Sequence, residues 1–146
     1  MGAYSFIDVS GTFAGPSGSI DLGAGAGNSD EGVNVVMAES KNTMTTGADG
    51  SVMHSLHASK SGVVTVNLLK TSPINKKLSL MYNAQSLSSA LWGNNVILLR
   101  NKTSGDIVSC RSVAFQKQPD WNNPKVAGIV AWNFDAGLID EVLGEF

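Results

Sequence analysis

The chain has 146 residues, 42% of them hydrophobic and 15% charged, and a net charge of −2. A length of this order builds one domain with a core of its own, and the slight acidity excludes a nucleic-acid binder held by bulk electrostatics. The single cysteine, Cys110, excludes an internal disulfide and a cysteine-built zinc site, and no apolar run approaches the roughly 18 residues of a membrane span.

From the N-terminus, Tyr4 to Phe13 alternates loosely and reads as a first strand. Met1 to Ser10 has neither a basic start nor a long apolar stretch, so no secretory signal is expected, and folding in a reducing cytosol is. Residues 14–27 are glycine-rich, and Ser19 to Leu22 within them fits a short strand. Val33, Val35 and Met37 recur at period two and predict a half-buried strand over 32–39. Lys41 to Ser51 is polar and holds the turn pair Asp49-Gly50, so residues 33–58 are expected to form one long hairpin with a polar tip. Val63 to Leu69 is a strand rich in β-branched residues.

Ser72-Pro73 starts the one predicted helix. Serine suits the N-cap, and proline suits the first helical position because its missing N–H has no partner there anyway. Ile74, Leu78, Met81 and Tyr82 then fall on one stripe, and the helix is expected to end near residues 83–85. Val96 to Asn101 and Ile107 to Gln116 form a hairpin through Lys102 to Gly105, and Val126 to Ala136 is the last strand. The sum is a mainly β single domain spanning 1–146. It is expected to be a β-sandwich or partly closed barrel with one flanking helix at about residues 73–84.

Candidate chemistry is sparse. Gly23-Ala-Gly-Ala-Gly27 lacks the third glycine of a dinucleotide loop and the Lys-Ser/Thr of a P-loop, and is followed by Asp30 and Glu31, so it reads as a flexible loop. His54 and His57 would point to opposite faces of a strand and cannot share a metal. Cys110 reads as a buried, inert thiol, since Arg111 beside it on a strand points away. The pairs Asp30-Glu31 and Asp140-Glu141 read as solvated charge, and Asn101-Lys102-Thr103 has sequon spacing without a secretory context. No catalytic residue, cofactor site or metal site is expected.

Charge is distributed unevenly. Residues 1–40 carry five acids and no Lys or Arg, residues 126–146 carry four acids and none, and residues 41–125 hold all ten bases against Asp49, Asp106 and Asp120. The acidic ends therefore pack on the basic middle, either of their own chain or of a neighbour. Few charges on the surface also suit a subunit covered by others, since about 25% is usual.

The stretches 39–57 (ESKNTMTTGADGSVMHSLH), 70–75 (KTSPIN), 81–85 (MYNAQ), 90–93 (ALWG) and 110–119 (CRSVAFQKQP) resemble a family of structural proteins of contractile-tailed phages and prophages. The resemblance implies the inner tail tube: a β-sandwich or barrel with a flanking helix, six subunits to a ring, and rings stacked into a hollow tube that conducts DNA without binding it specifically. It implies no catalytic residues, a location in the virion tail after assembly in the host cytoplasm, and partners that are further copies, the sheath, the baseplate and the terminator, with no membrane. The alternatives are another virion ring (a tail terminator, baseplate hub or capsid decoration) and, from a different class, a small-ligand-binding β-barrel, which the lack of any convergent polar set disfavours.

Within that frame, Lys41, Asn42, Thr43, Met44 and Asp49 at the hairpin tip are expected to contact an adjacent subunit, because so long a polar connection in a compact domain is usually functional. Asp140 and Glu141 are expected to contact the basic middle of a neighbour. Thr65, Asn67, Asn133 and Asp135, the polar phase of otherwise apolar strands, are expected to line the channel, since a conduit for DNA should present few bases to phosphate.

Overall fold

The computed structural model describes residues 2–146, except for the side chains of residues 29–31, so those of Asp30 and Glu31 lie outside what is described. The strands are β1 (Val9–Gly15), β2 (Gly18–Asp21), β3 (Asn28–Met37), β4 (Asn42–Thr46), β5 (Val52–Leu56), β6 (Gly62–Leu69), β7 (Asn95–Asn101), β8 (Ile107–Lys117) and β9 (Ile129–Val142), with one α-helix, α1 (Ile74–Gln85). Seven of the strands form an antiparallel sheet in the order β2-β1-β7-β8-β9-β6-β3, and β4 and β5 pair only with each other.

Three steps of about 4.8 Å separate β1 from β9 in that order, so on a flat sheet they would lie about 14 Å apart. Yet the rings of Phe13 on β1 and Phe134 on β9 are 5.1 Å apart, and Phe115 on β8 lies 5.5 Å from Phe13. The sheet therefore folds over on itself into two packed layers around these aromatics. It does not close into a barrel, because among the described residues the edge strands β2 and β3 do not pair with each other. Val64, Val66 and Leu68 of β6 and Trp132, Phe134 and Ala136 of β9 fill the core with the alternation the sequence shows. Truncating Phe134, which is fully buried, to alanine would cost about 3–5 kcal/mol.

The helix begins as expected. Pro73 is already helical, and the Ser72 hydroxyl accepts from the Ile74 N–H at 3.3 Å while donating to the Ala26 carbonyl. Ile74, Leu78 and Met81 are buried, and Tyr82 packs edge-on against Phe115 at 5.5 Å. The helix's last residue, Gln85, is also fully buried and exchanges two hydrogen bonds with Asn95 of β7.

The elements depart from the sequence reading mainly in three places. Phe6–Asp8 forms a short 3-10 turn capped by Ser5, so the first strand starts at Val9 and not at Tyr4. The last strand starts at Ile129 and not at Val126, and it runs on to Val142, because Ile107 to Arg111 of β8 continue the ladder opposite Leu138 to Val142. The span 33–58 is not one hairpin. β3 pairs with β6, placing Val33 opposite Val66 and Val35 opposite Val64, where their apolar faces meet the core. β4 and β5 have no core to face, and they form a separate two-stranded arm.

Candidate functional site

The arm leaves the body where β3 ends and β6 begins. The Ala38 N–H donates to the Ser61 carbonyl there, and the Ile139 N–H to the Lys60 carbonyl. Its ladder runs from Asn42 opposite Leu56 to Thr46 opposite Val52, and the His57 N–H donates to the Lys41 carbonyl at the base. Directly opposed residues share a face. Asn42, Met44, Thr46, Val52, His54 and Leu56 therefore lie on one side, and Thr43, Thr45, Met53 and Ser55 on the other. His54 meets Asn42 at 3.1 Å on the first face, and His57 meets Thr43 at 2.7 Å on the second, so the two histidines point apart.

At the tip, the Asp49 carboxylate accepts from the Ser51 N–H at 3.0 Å, and this bond holds its carboxyl below the usual range. Gly50 takes the positive φ of 89° that the turn requires, while Asp49 does not. Among the described residues every side chain of β4, and every one of β5 but Ser55, is exposed. Met44 is 59% exposed, and Leu56, on the same face, is 83% exposed.

Asp140 sits at the arm's root. It pairs with Arg111 at 2.8 Å and with Lys60 at 3.4 Å, and the Lys60 hydrogen bond leads the effects that lower its pKa. For this residue the acidic end packs on the basic middle of its own chain. Neighbouring Glu141 is exposed opposite Val108 and has no ion pair among the described residues. Nothing in the sequence joins Lys60, Arg111 and Asp140, because the parallel bridge between Lys60 and Leu138 that aligns them is a tertiary contact.

Thr65, Asn133 and Asp135 lie together on the outer face of β6 and β9. Thr65 and Asn133 are direct cross-strand partners, and the Thr65 hydroxyl donates to Asn133 Oδ1 at 2.9 Å. Gln116 Nε2 donates to Asp135 Oδ1 at 3.2 Å, and Lys117, in register with Asn133, adds one base. Asn67 shares this phase but is buried. Its Nδ2 donates to the Gly32 carbonyl at 3.2 Å, serving the irregular stretch of β3 where the register with β6 shifts. Cys110 is buried on the core side, and loss of hydration pushes its thiol up to about 11.

The family model of the bacteriophage PhiTE tail tube protein matches residues 1–144. No curated protein sequence matches the chain. Among solved structures, the chain is similar to one in the extended sheath/tube terminator of the PVC extracellular contractile injection system. The TM-score is 0.60 and the identity 12%, covering 97% of this chain and 98% of that one. A chain of the anti-feeding prophage tube terminating cap gives a TM-score of 0.57 at 8% identity, covering 99% and 93%. A chain of the anti-feeding prophage baseplate gives 0.51 at 16% identity, covering 97% and 96%. At these identities the likeness is one of fold. The family match reaches almost the whole chain, and the chain belongs to the bacteriophage tail tube protein family, as a structural component of a phage tail.

Proposed function

We propose that the chain is the repeating subunit of the tail tube, one domain that closes into six-membered rings stacked around a channel for DNA. The arm carries this reading. A two-stranded hairpin by itself is marginally stable in water, and this one exposes Met44, Val52 and Leu56 on a single face. Docking that face on an adjacent subunit removes the exposed apolar surface and places Asn42 and Met44 in the contact, with Asp49 at the tip and Lys41 and Thr43 on the arm's other side, at the contact's rim. The polar face of Thr65, Asn133 and Asp135 is the channel wall, where hydroxyl, amide and carboxylate groups beside the single base Lys117 offer phosphate little to hold. Glu141 is free to meet a neighbour's base. Assembly proceeds in the host cytoplasm, the sheath surrounds the tube in the virion, and baseplate and terminator close its ends. Negative-stain images of the purified protein test this directly: long hollow tubes are expected, and uniform monomers overturn it. A second reading, a tail terminator, is favoured by the fold likeness to the terminator and cap chains. It requires closed single rings at every concentration.

A further inference from the structure

The loop between β8 and β9, residues 118–128, holds the most exposed large aromatic of the described residues. Trp121 is 91% exposed, and Val126 nearby is 79% exposed. The loop is not loosely placed. Lys70 Nζ donates to the Asn122 carbonyl and to Asn123 Oδ1 at 2.7 Å, fastening it to the end of β6. Beneath it lies a cavity of about 360 Å³ with Trp121, Ile129, Val130 and Trp132 in its lining. Trp132 Nε1 donates to Asn75 Oδ1 at 3.0 Å, which fixes its indole in place. The cavity is thus built in advance. Tryptophan is among the residues enriched at the energetic centres of protein interfaces.

Position identifies the occupant. Loop 118–128 adjoins the end of the β6–β9 pair where Leu69 opposes Ile129, and the arm leaves the other end, where Gly62 opposes Ala136. Seven steps along β6 separate them, about 23 Å. One copy carries an apolar ridge at one end and, at the other, a pocket in which Trp121, Ile129, Val130 and Trp132 stand among polar groups, which is the arrangement a head-to-tail, non-closing contact requires. The chemistry matches as well. Met44, Val52 and Leu56 form the ridge, and methionine sulfur packs favourably on aromatic rings such as Trp121. Lys125 on the loop is the base that Asp49 at the arm tip would approach, since Lys70 is taken up by Asn122 and Asn123, and Asp120 is a like charge there. The geometry points to the pocket under loop 118–128 as the seat of the arm of a second copy, the next subunit along the tube. This rests on the tube reading and adds its receptor surface.

Two measurements test it. A Met44→Cys variant is mixed with an Asp120→Cys variant, polymerised, and treated with a short bismaleimide. Cys110 is buried and does not compete. A covalent dimer that needs both variants is the expected product. Tubes that yield only Met44→Cys dimers, or none, overturn the inference and leave the tube reading standing. A parent protein that forms no tubes overturns that reading, and this inference with it. In the unmodified protein, acrylamide quenching of Trp121 fluorescence, isolated by difference from Trp121→Phe, is expected to fall severalfold on polymerisation. Equal quenching in tubes and subunits overturns the inference. Trp121→Ala is expected to slow polymerisation about tenfold or more.

Discussion

Gln85 and Asn95 make a sharp test of how the helix is held to the sheet. Both are fully buried. Asn95 Nδ2 donates to Gln85 Oε1 at 2.7 Å and to the Val113 carbonyl at 3.0 Å, and Gln85 Nε2 donates to Asn95 Oδ1 at 2.8 Å and to the Ser17 hydroxyl at 3.0 Å. Replacing Asn95 with leucine keeps its approximate volume. It strands Gln85 Oε1, takes a donor from the Val113 carbonyl, and leaves Gln85 Nε2 with Ser17 alone. An unsatisfied buried polar group costs about 1–3 kcal/mol, so Asn95→Leu should cost about 2–4 kcal/mol and Gln85→Met a similar amount. Against a total stability of about 5–15 kcal/mol, either loss is large. The double variant replaces both partners with apolar groups of like shape, and should cost less than the two singles summed, by about 1–3 kcal/mol. Urea unfolding followed by fluorescence, at protein concentrations below polymerisation, measures all four proteins. Costs that simply add, within about 0.5 kcal/mol, would refute the claim that the amides act as a pair.

Deleting Thr43 to Asp49 should leave a folded protein with the parent's far-UV dichroism that forms no tubes, as judged by light scattering and microscopy; normal tubes would show that the arm is dispensable. Asp140→Asn should leave the urea midpoint nearly unchanged while speeding hydrogen exchange at the Ala38 and Ile139 amides, which tie down the arm's root. In the parent, the Asp140 contribution is present above the ordinary value of 3.8 and is lost only as pH falls through its lowered native pKa, so protection of those two amides should persist at pH 4. Cys110, with its thiol pushed up to about 11, should resist maleimide at pH 8 in the folded protein and react promptly in urea.

The strands of the core were legible because period-two alternation is a local property: Val64, Val66 and Leu68 are buried whichever strand lies alongside. The helix was legible for a similar reason, since Ser72, Pro73 and the stripe from Ile74 all act within one or two turns. The polar phase of β6 and β9 follows from the same alternation, and it brings Thr65 and Asn133 into contact. What alternation cannot state is a strand's partner. Val33 and Val35 fit the β6 ladder as well as a hairpin continuing through residue 58, and only the pairing with β6 detaches β4 and β5 as an arm. It also cannot tell an exposed Asn from a buried one, which is why Asn67 looks like its neighbours until the irregularity in β3 claims its amide. The uneven charge was visible as a pattern, but that Asp140 meets Lys60 and Arg111 of its own chain depends on the β8 and β9 ladder. Trp121 gave no periodic signal at all, being a lone aromatic in a loop. Its standing at the opposite end of the molecule from the arm is decided only when β6 and β9 pair antiparallel, because that pairing sets which loops share an end.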